Sequence, residues 1–121
     1  MILLDTNIFI YLANGRLTAE TITDNDIAYA SITKIEALGY AQITGREQSL
    51  LENLFDECEQ IELDERVIQK AIRLRQQTKM TLGDAIVAAS ALIADAALWT
   101  PNKKDFEQIE NLTVYNPMEK K

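Results

Sequence analysis

Five short apolar runs, separated by longer segments with helical spacing, constrain this chain more than any other feature. Ile2-Leu3-Leu4-Asp5 comes first and reads as a buried strand. Ile27-Ala28-Tyr29-Ala30 is the second, bounded by Asp24-Asn25-Asp26, and Gln60-Ile61-Glu62-Leu63 is a brief alternating third. Ala97-Leu98-Trp99-Thr100 and Leu112-Thr113-Val114-Tyr115 close the set. Between them, Ile8, Phe9, Tyr11 and Leu12 recur at helical spacing, and Gly15 is placed to end that helix. Ser31 stands where a helix N-cap would, ahead of Ile35, Leu38 and Ile43. A helix over about 46–58 is expected to bury Leu50, Leu51, Leu54 and Phe55. Another over about 65–78, capped by Asp64, is expected to turn Val67, Ile68, Ala71, Ile72 and Leu74 inward. Leu82 to Ala97, rich in alanine and aliphatics, reads as the most buried helix. This alternation predicts an α/β fold with a central, mostly parallel sheet covered on both faces and right-handed crossovers. In such folds the ligand crevice lies beyond the carboxyl ends of the strands.

At 121 residues, with no repeat and no Pro/Gly linker, the chain is expected to form one domain over 1–121. Its apolar start is interrupted by Asp5 and Asn7 and lacks a basic region, so a signal peptide is not expected. No apolar run reaches the ~18–20 residues of a membrane helix. A cytoplasmic protein with no membrane partner is the expectation. The single cysteine, Cys58, excludes an intrachain disulfide and a cysteine-only metal site, and fits a reducing compartment. The complete absence of histidine excludes a Ser-His-Asp triad, a Cys-His pair and a histidine zinc site. Any chemistry here runs on carboxylates, hydroxyls, amides, lysine or a bound metal.

The net charge of −7 argues against nucleic-acid binding through bulk electrostatics. The charge is uneven, however. Glu47 to Glu65 holds eight acids and no base, and Arg66 to Lys79 holds five bases and no acid. These stretches read as two solvated faces that pair with one another, or as a dipolar surface that selects a partner.

Four acids are candidates for chemistry. Asp5 ends the first apolar run, so it either points into the crevice or caps the next helix. Glu36 falls beside Ile35 and Leu38, and by position alone reads as an exposed helical acid. Asp84 is the lone charge between Lys79 and Asp95, where it must be paired, capped, metal-bound or set against a helix N-terminus. Asp105 follows the fourth apolar run, where it could cap Phe106 to Ile109; Asn102, in the same stretch, reads as a turn residue. Acids brought together would repel. Two charges ~4 Å apart cost about 4 kcal/mol at an effective dielectric of ~20. A hard divalent cation removes that cost, and oxygen-only ligands suit Mg²⁺ or Mn²⁺.

Leu-Leu-Asp-Thr-Asn from Leu3, Ser-x-Thr-x-x-Glu from Ser31, Leu-x-Asp-Ala-Ile-x-Ala-Ala from Leu82 and Thr-x-Asn-x-x-Asp-Phe from Thr100 stand in this order along the chain. Together they resemble the PIN-domain family, and most closely its VapC-type toxins, the ribonuclease halves of type II toxin–antitoxin pairs. The resemblance spans residues 3–106. It implies a three-layer α/β/α fold and a Mg²⁺- or Mn²⁺-dependent endoribonuclease that leaves a 5′-phosphate and a 3′-hydroxyl. It implies Asp5, Glu36 and Asp84 as metal-binding catalytic acids, with Asp105 as a fourth. It implies Asn7, Ser31, Thr33 and Asn102 as polar support. Lys34, Lys103, Lys104 and Arg16 are candidate contacts to RNA, and ordinary solvated side chains if not. Many family members carry an acid nearer the asparagine, where this chain has Lys103 and Lys104. That departure moves Asp105 to the edge of the site and leaves open whether it or Asn102 completes it. The resemblance also implies a homodimer and a small antitoxin, encoded nearby, whose tail blocks the acidic site.

Other classes fit less well. A receiver-type phospho-acceptor domain wants two adjacent acids after the first strand and an acceptor aspartate ending a mid-chain strand; here one acid follows the first strand and 46–58 reads as helix. A dehalogenase-like phosphatase wants Asp-x-Asp, and position 7 is Asn7. A PIN-like module that binds without cutting would not require Asp5, Glu36 and Asp84.

Overall fold

The computed structural model describes residues 1–22 and 26–119, so Asp24 and Asn25, expected to bound the second strand, lie outside the described residues. Strands overlap all five runs: β1 (Ile2–Leu4), β2 (Ile27–Ala30), β3 (Glu59–Ile61, starting one residue before its run and ending ahead of Glu62 and Leu63), β4 (Ala97–Trp99) and β5 (Val114–Tyr115). The helices are α1 (Thr6–Ala13), α2 (Ser31–Leu38), α3 (Gly45–Asp56), α4 (Glu65–Gln77) and α5 (Leu82–Ala94), with short 3₁₀ turns at Ala19–Thr21 and Lys103–Asp105. The sheet has the order β3-β2-β1-β4-β5, and every neighbouring pair is parallel. The chain builds outwards from β1 through β2 to β3, then returns to the other side of β1 for β4 and β5. The order therefore reverses between β1 and β4, which places the crevice at their carboxyl ends.

Strand alternation divides the core between two faces. Leu3, Ala30 and Leu98 pack with α4 and α5 through Val67, Ala71, Leu74, Ala85 and Ala88. Ile2, Leu4 and Tyr29 turn the other way and pack with Ile8 and Phe9 of α1, Ala37 of α2, and Leu51 and Phe55 of α3. The result is the expected three-layer α/β/α sandwich. The second face is closed by aromatic contacts: Phe9 and Phe55 lie 4.5 Å apart between ring centroids, and Tyr29 and Phe55 4.7 Å.

Helix starts follow local chemistry. Thr44 and Glu47 form a capping box on α3, Asp64 caps α4 by accepting from Val67 N at 3.0 Å, and Thr81 caps α5. At the end of α1, Gly15 takes a positive φ of 83°, as a residue just past a helix cap often does.

Several expected positions differ. Ser31 is the first residue of α2 rather than its cap: Ala30 holds the cap position without a side-chain bond, because β2 runs directly into the helix. Ile43 falls after α2 has ended at Leu38. Leu50 is 39 % exposed, because α3 buries Leu51 and Phe55 and a residue one step earlier is turned about 100° off that line. Ile72 is 45 % exposed for the same reason, beside the buried Val67, Ala71 and Leu74. Asp105 lies inside a 3₁₀ turn and does not cap Phe106 to Ile109.

Candidate active site

The site begins where β1 ends. Asp5 is 7 % exposed, and its backbone N–H continues the pairing with β4 by donating to the Trp99 carbonyl at 3.0 Å. Its carboxylate is held at both oxygens. Oδ1 accepts from Thr6 N at 2.8 Å, which caps α1, and Oδ2 accepts from the buried Thr100 hydroxyl at 2.7 Å. The two readings of Asp5 therefore coincide: the helix cap is also the acid in the crevice. Burial nevertheless pushes its carboxyl above the usual aspartate range. The two hydrogen bonds oppose that rise, and the charges of Glu36 and Asp105 add to it.

Glu36 reaches the same place from α2. Thr6 Oγ1 donates to Glu36 Oε1 at 2.8 Å, and that hydroxyl lies 3.4 Å from Oγ1 of the fully buried Thr33. On its other side, Glu36 Oε2 stands 3.4 Å from where a Cβ on Gly83 would sit, so the glycine lets the carboxylate approach the start of α5 closely. Asp84 occupies the first turn of that helix, its N–H donating to Thr81 Oγ1 at 3.1 Å. Burial raises the Asp84 carboxyl most; the charges of Asp5, Asp105 and Glu36 raise it too, while the Thr81 hydroxyl lowers it. Asp105 is exposed, but its charge is felt at both Asp5 and Asp84. Asp84 and Asp105 line a cleft of about 570 Å³ with Lys79, Thr81, Lys104 and Gln108.

The four acids thus share one electrostatic neighbourhood, built from β1, α2, α5 and the turn after β4. Among the described residues no three of them are gathered closely enough to form a finished metal shell. The donor set is all oxygen, which suits a hard cation rather than a soft one, and the acids repel one another in addition to the burial that raises two of them.

The remaining expected residues divide. Thr33 lies in the Thr6–Glu36 hydrogen-bonded group. Asn102 donates its backbone N–H to Thr100 Oγ1 at 3.1 Å and leaves its side chain exposed, and Lys104 lines the cleft. Asn7 is half-buried in the first turn of α1, and Lys103 is half-buried in the 3₁₀ turn. Ser31 faces the other way and bonds the Ile61 carbonyl at 3.1 Å; with Lys34 it lines a shallow groove beside Gln60 and Glu62. Arg16 lies beyond the far end of α1, stacked on Tyr11 with its guanidinium carbon 4.5 Å from the ring centroid. Sequence reasoning missed Thr6, Thr81, Gly83 and Thr100. The Thr-x-x-Asp spacing from Thr81 is a readable cap signal; the pairing of Thr100 with Asp5 needs the strand order.

A parallel α/β/α domain with acids converging at the reversal point of its sheet is the class these observations define. The PIN domain family model matches residues 2–112, and the chain belongs to that family. The likeness to toxin–antitoxin chains expected from the motifs is also found among solved structures. A chain of a toxin–antitoxin complex from Klebsiella pneumoniae is 29% identical, with 99% of this chain and 100% of that chain covered and a TM-score of 0.84. A chain of VapBC2 from Rickettsia felis, bound to a DNA fragment from the promoter, is 26% identical over 96% and 98%, with a TM-score of 0.81. One from VapBC-1 of nontypeable Haemophilus influenzae is 25% identical over 98% and 100%, with a TM-score of 0.77. No curated protein matches the chain. Among the described residues no helix is long and apolar enough to cross a membrane.

Proposed function

We propose that this chain is a Mg²⁺- or Mn²⁺-dependent endoribonuclease and the toxin of a toxin–antitoxin pair. The observation that carries the reading is the convergence of Asp5, Glu36, Asp84 and Asp105 on the carboxyl ends of β1 and β4, where burial first, and then the charges of the other acids, push Asp5 and Asp84 up. Asp5, Glu36 and Asp84 would hold the cation and Asp105 would complete the set through water. Bound there, the metal would acidify a water molecule and neutralise charge on a phosphodiester. The residues around it hold the geometry. Thr6 N and the Thr100 hydroxyl fix both oxygens of Asp5, Thr6 Oγ1 aims Glu36, and Thr81 anchors the turn bearing Asp84. Lys104, on the wall of the cleft, is placed to meet a phosphate.

The antitoxin partner follows from the likeness to chains of toxin–antitoxin complexes. A homodimer is supported by the apolar face carrying Ile35, Leu63, Ile72 and Leu82, which are 44–71 % exposed. Leu63 joins the two grooves they line. A second copy covering that face would make Ile72→Glu/Leu82→Glu a monomer in sedimentation; an unchanged mass would remove the dimer from this reading.

The nuclease reading is tested by incubating the purified protein with labelled RNA in Mg²⁺, in Mn²⁺ and in EDTA, beside Asp5→Asn and Asp84→Asn. Metal-dependent cleavage that both substitutions abolish is the expected result. Cleavage that survives EDTA sinks the metal chemistry. No cleavage under any condition leaves a binding module.

A further inference from the structure

We propose a second RNA-binding site, a phosphate-binding groove along α4 that carries the single strand away from the acidic cleft; this rests on the nuclease reading above. Two cavities meet at Gln108. One is the acidic cleft, to which Lys79 and Lys104 also contribute. The other, of about 390 Å³, is lined by Lys70, Arg73 and Gln77 of α4 and by Asn111, with Glu110 its single acid. Lys70 and Arg73 are three residues apart on one helix face, so their charges act together on one object. Among the described residues, neither Lys70, Arg73, Lys79 nor Lys104 forms a side-chain hydrogen bond or an ion pair with another residue. The expected pairing of the basic 66–79 stretch with the acidic 47–65 stretch is therefore not made by the residues facing this groove.

A chain with a net charge of −7 has few places where an anionic polymer meets net positive potential. The lining of this groove, two cations to one acid, is net positive, and it shares Gln108 with the acidic cleft. From Lys70 to Gln77 the helix advances about 10 Å, long enough to follow more than one residue of an extended strand. The uncharged polar side chains of the lining are the amides Gln77, Gln108 and Asn111 and the hydroxyl of Thr78, set among Leu74, Leu92 and Ile109, and these groups can meet phosphate and sugar oxygens. The occupant is accordingly single-stranded RNA held by its backbone, without sequence preference at this site.

The test measures fluorescence anisotropy of a labelled 20-nucleotide oligouridylate with the full chain in the Asp84→Asn background, across a salt series. Lys70→Glu/Arg73→Glu should weaken binding by at least about 10-fold and make the log–log salt slope shallower by about 1.4, since each single-strand phosphate contact contributes ~0.7. Lys70→Gln/Arg73→Gln should give a smaller loss of the same kind. Arg46→Glu/Arg66→Glu changes net charge equally at residues lining neither cavity, and should leave binding within about twofold. An unchanged affinity in the α4 variants, an equal loss in the control, or no binding by the parent chain overturns the groove. Binding that depends on the groove, in a chain that never cleaves with Mg²⁺ or Mn²⁺, would fail the nuclease reading alone. Cleavage with no groove dependence would fail this inference alone.

Discussion

Asp5→Asn should make the metal-free protein more stable at neutral pH while removing its metal response. The structure supplies two opposing terms. Asparagine keeps one side-chain oxygen for Thr6 N, so the cap on α1 survives. Towards Thr100 it offers an amide instead of a carboxylate, exchanging a charge-assisted bond for a neutral one at a cost of about 1 kcal/mol. Against that stands the burial of an ionised carboxylate, which costs several kcal/mol before compensation, and the repulsion from Glu36 and Asp105. The Asp5 carboxyl sits above its ordinary value despite both hydrogen bonds, so the unfavourable terms win. A folded-state pKa above the unfolded one means that ionised Asp5 destabilises the fold. That penalty is full above the raised value, fades as pH falls through it, and is gone below the ordinary 3.8.

The expected outcome in EDTA near pH 7 is a gain of about 1 kcal/mol, or about 3–5 °C in Tm for a domain of this size. The gap between variant and parent should close as the pH approaches 4. Adding Mg²⁺ should reverse the order, since a ligand at 100 times its Kd stabilises by about 2.7 kcal/mol and the variant has lost a ligand. Thermal melts from pH 4 to 8, with and without Mg²⁺, read all three effects. A variant less stable by more than about 2 kcal/mol in EDTA, with a gap that pH does not change, would refute the reasoning and make Asp5 a purely structural cap.

Three further outcomes are expected. Thr100→Val removes the hydroxyl on Asp5 Oδ2 without changing shape, so the Asp5 carboxyl should rise further and Mg²⁺ affinity by calorimetry should fall about 10–100-fold, while the helical circular dichroism signal is retained. Phe55→Ala opens the aromatic contact with Phe9 and Tyr29 and should cost about 3–5 kcal/mol in urea unfolding. Burial pushes the Cys58 thiol up to about 11, so at pH 8 only about one molecule in a thousand carries the thiolate, and iodoacetamide should label the native chain far more slowly than the unfolded one.

The fold was legible because the runs are short and alternate with helical segments, and those at β1, β2 and β4 are apolar enough to read as two-sided strands. Burial on both faces then follows from alternation, as Ile2, Leu3 and Leu4 show by splitting between the two cores. What misled was helical phase. Leu50 and Ile72 sit one residue from buried positions, and an amphipathic face read from composition does not resolve a 100° rotation. Asp5 and Asp84 stood out by local setting, one after a strand and one alone in an apolar helix, though that setting fitted a helix cap or helix-end charge equally well. Glu36 did not: its neighbour Ile35 is 71 % exposed, and only motif order and the contact with Thr6 single it out. Thr100 acquires meaning only when β4 lies beside β1, a pairing between residues 95 positions apart.

Charge decides why the acids converge without closing into a shell. Asp5 caps α1 and Asp84 lies in the first turn of α5, so each meets the positive end of a helix. That interaction offsets about 0.3–1 kcal/mol per acid. A pair of carboxylates ~4 Å apart costs about 4 kcal/mol. Helix ends therefore cannot hold three acids together, and the remaining imbalance has three outlets: separation, protonation or a cation. The structure displays the first, in acids that stand apart, and leans toward the second, since burial and then neighbouring charge push the Asp5 and Asp84 carboxyls above the ordinary range. A divalent cation is the outlet that would let the cluster tighten while ionised. The same reasoning divides the net charge of −7 by place: acids at the crevice that a cation would neutralise, an acidic stretch on α3 and β3 that would repel a polyanion, and, under the proposal above, bases on α4 that would leave one approach open.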